Sequence, residues 1–324
     1  MKSIQRLIAG LMLLVGSGAA LAQANYPDKP IRMLVGFAPA GVADICARVI
    51  AEKLAQFLGK PVVVENVGGA GGNVASERAA KAPPDGYTLY MAASSALVSN
   101  PLLYERVNFD PVKDFAPISQ TCSAPNVLAL NNDVPARTVA DLTALARARP
   151  GQLSFASAGV GTTQHLAGEL FKSIAKVEIQ HVPYRGLAQA IPDLLAGRVS
   201  MIFGSISNVL PLARDGQLRV LAVTSLKRWP ALPDVPTLDE EGFLGFDATV
   251  WFGLFAPAGT AAPIIARLHA ETVRVVGLAD VRNKFDEFGM APISSTPAEL
   301  AAAIQSEIPH WARVIKESGA RATE

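Results

Sequence analysis

Apolar runs and polar, glycine-bearing loops follow one another along this chain in an order that occurs twice. The first copy opens with a strand-like apolar run at 31–36, then a short loop, then a stretch with helical spacing to Leu58. A strand at 61–65, a loop at 66–73, a helix to Lys81 and a strand at 87–92 complete it, ending at Ser94 and Ser95. The second copy runs as a strand at 153–155, a loop at 156–163, a helix to about Ile174, a strand at 177–182 and a loop at 183–186. A helix to Leu195 and a strand at 199–203 close it at Gly204 and Ser205. Each copy is a βαβαβ unit with small polar residues at the carboxyl ends of its strands. Two such units predict an α/β protein of two lobes with facing loop rims, because ligands of these sheets bind beyond the strand ends. The rims carry Gly, Ser and Thr, which suits a small anion.

The remaining patterns connect the units. An extended run at 117–121 leads out of the first, and a new strand begins at 126–130. Thr138 is placed to cap a helix reaching Arg149, with Asp141 in its first turn. After the second unit come a buried-strand run at 218–224, a turn-rich stretch at 230–236 and a strand at 248–255. Helices are predicted at 262–276, 279–288 and 297–317, the last opened by Thr296 with Glu299 in capping-box register. Extended crossings near 115–127 and 246–256 carry the chain out of the first lobe and back.

The first residues set the compartment. Lys2 and Arg6 precede an apolar run from Leu7 to Val15, and Ala20-Leu-Ala22 has the pattern of a cleavage site. This is a secretory signal peptide over 1–22, too short in its apolar run for the roughly 20 residues of a spanning helix. A formal net charge of +1 and 6% aromatic residues argue against nucleic-acid binding. The only cysteines, Cys46 and Cys122, read as two buried small residues, with a disulfide as the alternative that export permits. No metal-ligand spacing joins His165, His181, His269 and His310, so these read as surface residues, His165 lying just inside the helix after a cleft loop. Gly36-Phe-Ala-Pro-Ala-Gly41 lacks the Lys-Ser/Thr of a phosphate loop, and Phe-Ala-Ser157-Ala-Gly lacks the first glycine of a nucleophile elbow.

What remains is binding chemistry. Gly41 opens a helix whose first amides and dipole favour negative charge. Asp44 caps that helix or orients its loop, and Phe37 walls a pocket or packs in the core. Ser157, Gly159, Thr162 and Thr163 repeat this logic in the second copy with hydroxyls added. Ser94, Ser95 and Ser205 end the third strands. Tyr184 offers a phenol to the cleft, and neighbouring Arg185 is expected in a surface salt bridge.

Ordered motifs cover essentially the whole mature chain: Phe37-Ala-Pro-Ala-Gly-Val-Ala-Asp44, Asn66-Val-Gly-Gly-Ala-Gly-Gly72, Pro84-Asp-Gly-Tyr-Thr-Leu89, Ser157-Ala-Gly-Val-Gly161, His181-Val-Pro-Tyr-Arg-Gly186 and Trp251-Phe-Gly-Leu-Phe-Ala-Pro-Ala-Gly-Thr260. Together they resemble the Bug family, extracytoplasmic substrate-binding proteins of tripartite tricarboxylate transporters. The resemblance implies a type II periplasmic-binding-protein fold, two lobes joined by two crossing strands. Lobe 1 is expected over 23–122 plus 254–324 and lobe 2 over 123–253. It also implies a periplasmic monomer that captures a small organic carboxylate between the lobes, partly through ordered waters, for membrane permease subunits. Neither cofactor, metal nor catalytic residue is expected. The ligand-binding set is Phe37, Ala40, Gly41, Val42, Asp44, Ser94, Ser157, Ala158, Gly159, Thr162, Thr163, Tyr184, Gly204 and Ser205. Ala40 stands where the family usually has glycine, which narrows that loop's backbone freedom. Gly204 stands where many relatives carry Asp, leaving more room. A ligand sensor that signals to a membrane receptor is one alternative. An α/β enzyme using Ser157 or Asp44 is another, opposed by the missing motifs and by the lack of a histidine partner.

Overall fold

A computed structural model describes residues 26–322; the expected export signal lies outside the described residues. Two sheets organise the chain. In the first, β1 (Ile31–Val35) lies parallel between β2 (Val62–Asn66) and β3 (Thr88–Ala93). Next to β3 runs β10 (Val250–Pro257), antiparallel, then β4 (Phe115–Ala124) and the short β11 (Ala291–Pro292). In the second, β6 (Ser154–Ser157) lies parallel between β7 (Gln180–Pro183) and β8 (Met201–Ser205). Beside β8 comes antiparallel β5 (Asn126–Asn131), then β9 (Leu218–Val223). The internal repeat in the sequence is thus a repeat in strand order. Each sheet holds three parallel strands from one βαβαβ unit, followed by an antiparallel strand from elsewhere in the chain.

The central strands explain themselves by burial. Ile31, Met33, Leu34 and Val35 are wholly buried, as are Leu89, Met91 and Ala92 of β3, because helices cover both faces of the first sheet. The chain passes from β4 to β5 across the single residue Pro125 and returns through 248–250, where the Ala248 amide donates to the Thr224 carbonyl (3.0 Å). The C-terminal helix Pro297–Ser318 packs on β4 and on the helix Thr163–Ala175, so it bridges elements of both sheets. Capping boxes form at Thr138/Asp141 and at Thr296/Glu299, each contributing about 1 kcal/mol to its helix.

Two local expectations change. Ser94 and Ser95 do not simply terminate a strand: they begin the helix Ser94–Val98, and a second short helix follows at Asn100–Leu103. The cysteines are not separate small core residues. Cys46, on the buried face of the helix Val42–Leu58, is bonded to Cys122 of β4 with 6.6 Å between their Cα atoms. The helix lies across the strand there, which brings both side chains into bonding range.

Candidate functional site: two glycine loops and the helices they begin

In the first loop Gly41 precedes the helix Val42–Leu58 in an extended conformation and supplies no side-chain cap. The amides of Val42 and Ala43 at the helix start therefore have no acceptor among the described residues. Asp44 orients the loop rather than capping the helix end. Its carboxylate, only 3% exposed, accepts from the Ala40 amide (3.0 Å), from Arg48 Nε (3.0 and 2.9 Å) and from Asn66 Nδ2 (2.9 Å). Burial pushes this carboxyl up, but the bonds from Arg48, Ala40 and Asn66 together hold it below the usual aspartate value. Ala40 sits at φ 63°, the left-handed region that costs a residue with a Cβ about 1–2 kcal/mol. Its bond to Asp44 helps to hold that strained turn. Phe37 is half-buried, its carbonyl accepting from Asn66 Nδ2 (3.0 Å) and its ring lying beside Gly72.

The second loop is bound more tightly to its own lobe than its composition suggests. Ser157 Oγ lies 2.7 Å from His181 Nε2 and accepts from the Gly159 amide (3.2 Å). The Gly161 amide donates to His165 Nδ1 (3.3 Å), and the Thr162 amide to the Gly159 carbonyl (3.3 Å). Thr162 caps the helix Thr163–Ala175, accepting from the His165 amide (3.4 Å) and donating to the Gly159 carbonyl (2.7 Å). The amides of Gly159 and Gly161 are thus spent inside the loop, and those of Thr163 and Gln164 at the helix start are left without an acceptor among the described residues. Thr163 is buried and its hydroxyl accepts from Asn126 Nδ2 (3.2 Å). Ala158, in the same turn, is half-buried.

His165 and His181 are not the surface residues expected. Their rings stack at 4.2 Å, and His181 stacks in turn on Phe155 at 4.8 Å. Burial lowers His165 to about 3, helped by His181 and Lys172, and lowers His181 to about 4, helped by Lys172. Both rings are neutral at pH 7, and the bond from Gly161 fixes the proton of His165 on Nε2.

The remaining candidates divide. Ser94 and Ser95 are buried at the end of β3, and neither hydroxyl is engaged by a described group. Ser205 ends β8 and gives its proton to Asn208 Oδ1 (2.6 Å). Gly204 does not open room for a ligand: a Cβ there would lie 2.8 Å from Val209 Cγ2, so its bare side meets the following helix. Tyr184 does not offer its phenol freely either. The hydroxyl donates to Asp193 (2.8 Å), which also pairs with Arg198 (2.7 Å). Arg185 is exposed and forms no ion pair with a described residue, contrary to the expected surface bridge. A separate cavity of about 300 Å³, with Asn131, Arg149 and Ser200 in its wall, opens at the other end of the second sheet.

The two loops meet through a short series of contacts. Gly36 packs so closely on Gly72 that a Cβ would lie 2.9 Å from its Cα, and a Cβ on adjacent Gly71 would lie 3.0 Å from the Val160 carbonyl. Tyr104 donates to that carbonyl (3.2 Å) and Ser99 to the Gly161 carbonyl (3.3 Å). Asn100 stands behind them, wholly buried, donating to Gly71 O (3.0 Å) and Asn73 Oδ1 (2.7 Å). Ser99, Asn100 and Tyr104 stand in no periodic stretch of the chain. Asn66 and Asn126 were legible only as polar residues at the edges of apolar runs.

A family model described as "Tripartite tricarboxylate transporter family receptor" matches residues 46–320. Among solved structures, the chain is similar to R. palustris Rpa4515 with adipate at 35% identity and a TM-score of 0.87, covering 91% of this chain and 98% of that one. It is similar to the periplasmic binding protein BugD at 32% identity and a TM-score of 0.86, covering 92% and 100% of the two chains. MatC from Rhodopseudomonas palustris with bound malate gives 32% identity and a TM-score of 0.84, covering 90% and 100%.

Proposed function

Because the chain belongs to the tripartite tricarboxylate transporter receptor family, we propose that it is a periplasmic receptor which captures a small organic carboxylate between two lobes and delivers it to membrane permease subunits. The observation that carries this reading is a pair of helix starts, at Val42 and at Thr163, whose first amides have no acceptor among the described residues. A carboxylate satisfies such amides, and the helix dipoles favour its charge. The hydroxyls of Ser94, Ser95 and Thr163 add donors, and the half-buried ring of Phe37 supplies an apolar wall. Ser157, Gly159 and Thr162 shape the second loop from within instead of contacting the ligand. Adipate and malate in the two similar proteins are carboxylates of the expected size, and a signal peptide at 1–22 agrees with a periplasmic address.

The lobes follow the two sheets, the described part of 23–122 plus 254–324 lying in one and most of 123–253 in the other. Ser123, Ala124 and Val250–Gly253 pair within the first sheet, which puts the hinge at the changeovers at Pro125 and 248–250. Ligand groups come from both lobes, so binding is complete only when they meet, and a permease then distinguishes closed from open protein. The protein acts as a monomer without cofactor. The Ser157–His181 contact does not favour an enzyme: Ser157 is wholly buried, and its hydroxyl is held by Gly159 as well as His181. A thermal-shift screen of mono-, di- and tricarboxylates, amino acids and aromatic acids tests the reading, since a ligand of the folded state raises stability by mass action. Stabilisation by carboxylates without turnover supports it; turnover of a bound compound, or stabilisation only by cations or neutral compounds, overturns it.

A further inference from the structure

We propose that Asn126 is a positioning residue which sets the ligand-facing hydroxyl of Thr163 and ties it to both strands of the hinge. The inference rests on the carboxylate-capture reading and deepens it. Asn126 is the first residue of the second sheet after the crossing at Pro125, and it is wholly buried. Its main chain is bound to β9's end: its amide donates to Thr224 Oγ1 (2.9 Å), and its carbonyl accepts from the Thr224 hydroxyl (3.0 Å) and amide (2.9 Å). Its side chain reaches two other places at once. Nδ2 donates to the Ala248 carbonyl (2.9 Å) on the return crossing and to Thr163 Oγ1 (3.2 Å) at the start of the ligand helix. One amide therefore joins the outward strand, the returning strand and the binding site.

The chemistry fixes a direction. A threonine hydroxyl that accepts from Asn126 keeps its own proton to give elsewhere, and no described group accepts it. Thr163 is thereby held as a donor, the polarity a carboxylate oxygen needs. The other half of the Asn126 amide argues that packing is not its role. Oδ1 is buried and receives no hydrogen bond, a cost that a leucine of similar size avoids. What an apolar residue cannot supply is Nδ2, with its two simultaneous acceptors. The same amide thus couples the return crossing at Ala248 to the Thr163 hydroxyl.

The test compares Asn126→Leu, Thr163→Val, their double variant and the hydroxyl-keeping Thr163→Ser by calorimetric titration with adipate and with malate. Loss of one oriented donor predicts about five-fold weaker binding for Asn126→Leu and for Thr163→Val, with Thr163→Ser near the parent. The double variant should bind no more weakly than Thr163→Val, because Asn126 acts through that hydroxyl. Thermal stability of ligand-free Asn126→Leu should equal or exceed the parent's, a split that a merely structural residue does not give. Parental affinity in Asn126→Leu, or a double variant whose loss is the product of the two single losses, overturns the proposal. Deuterium exchange on ligand-free protein decides it apart from any ligand. Asn126→Leu should speed exchange several-fold in 159–166 and 246–252 together, and unchanged exchange in either segment overturns the coupling. If the parent binds no carboxylate while the exchange result holds, the capture reading fails and the coupling stands.

Discussion

Asp44→Asn changes one atom in the first loop and should cost far more than its size suggests. Every neighbour of the carboxylate is a donor: the Ala40 amide, Arg48 Nε and Asn66 Nδ2. An asparagine must turn its own NH₂ towards at least one of them. Asn66 can escape by rotating its amide, but it then gives up its bonds to the Phe37 carbonyl and from Arg48. One buried mispaired donor costs about 1–3 kcal/mol. Arg48 is 55% exposed, so losing its ion pair adds at most about 1 kcal/mol. The sum is a destabilisation of about 1–4 kcal/mol, read as a lower urea midpoint, with weaker carboxylate binding as Ala40 is released. The pH dependence has a defined sign. The carboxyl of Asp44 is held below its unfolded value, so its stabilisation is present above the unfolded pKa of about 3.9 and fades as pH falls through the lower folded value. The gap between parent and variant should persist from pH 8 to about 4 and narrow below that. A variant with the parent's midpoint at pH 7 refutes the donor-only description of this site.

Gly161→Ala, at φ 83° and facing Asn100 and Tyr104, should keep the loops apart and show a larger radius of gyration by small-angle scattering with saturating ligand than the parent. Tyr104→Phe removes one bond to Val160 and should weaken binding about two- to ten-fold with little change in urea midpoint. Replacing both Cys46 and Cys122 by Ala opens a link across 76 residues and should cost about 2–5 kcal/mol in denaturant unfolding. His165 and His181 are buried neutral with folded values near 3 and 4. The unfolded chain therefore takes up their protons first, and stability should fall as pH drops from about 6.5 towards 4; a His165→Asn, His181→Asn variant should show a flatter profile over that window.

The repeated βαβαβ order was legible because central parallel strands are apolar throughout and their loops are marked by Gly, Ser and Thr. Thr138 and Thr296 were legible as caps because a capping box is local in sequence. The helices at Ser94–Val98 and Asn100–Leu103 were not, since segments so short show no period. The roles of Tyr184 and Gly159 are not legible for another reason. Each is a donor by its type, but its partner is supplied by the fold: Asp193 for the phenol and Ser157 for the amide. The pairing of Cys46 with Cys122 is of the same kind, set by where a helix crosses a strand. Sequence located the loops that begin the two helices, and only packing shows which of their hydrogen-bond donors are left over.

Calorimetric titration of the protein with adipate, malate and their diamides tests the central claim most directly. Capture of a carboxylate by helix-start amides predicts saturable one-to-one binding of at least one dianion, with its diamide binding at least about a hundred-fold more weakly, since the diamide brings no charge and sets N–H groups against N–H donors. Equal affinity for a dianion and its diamide, or no binding by any carboxylate, would contradict it.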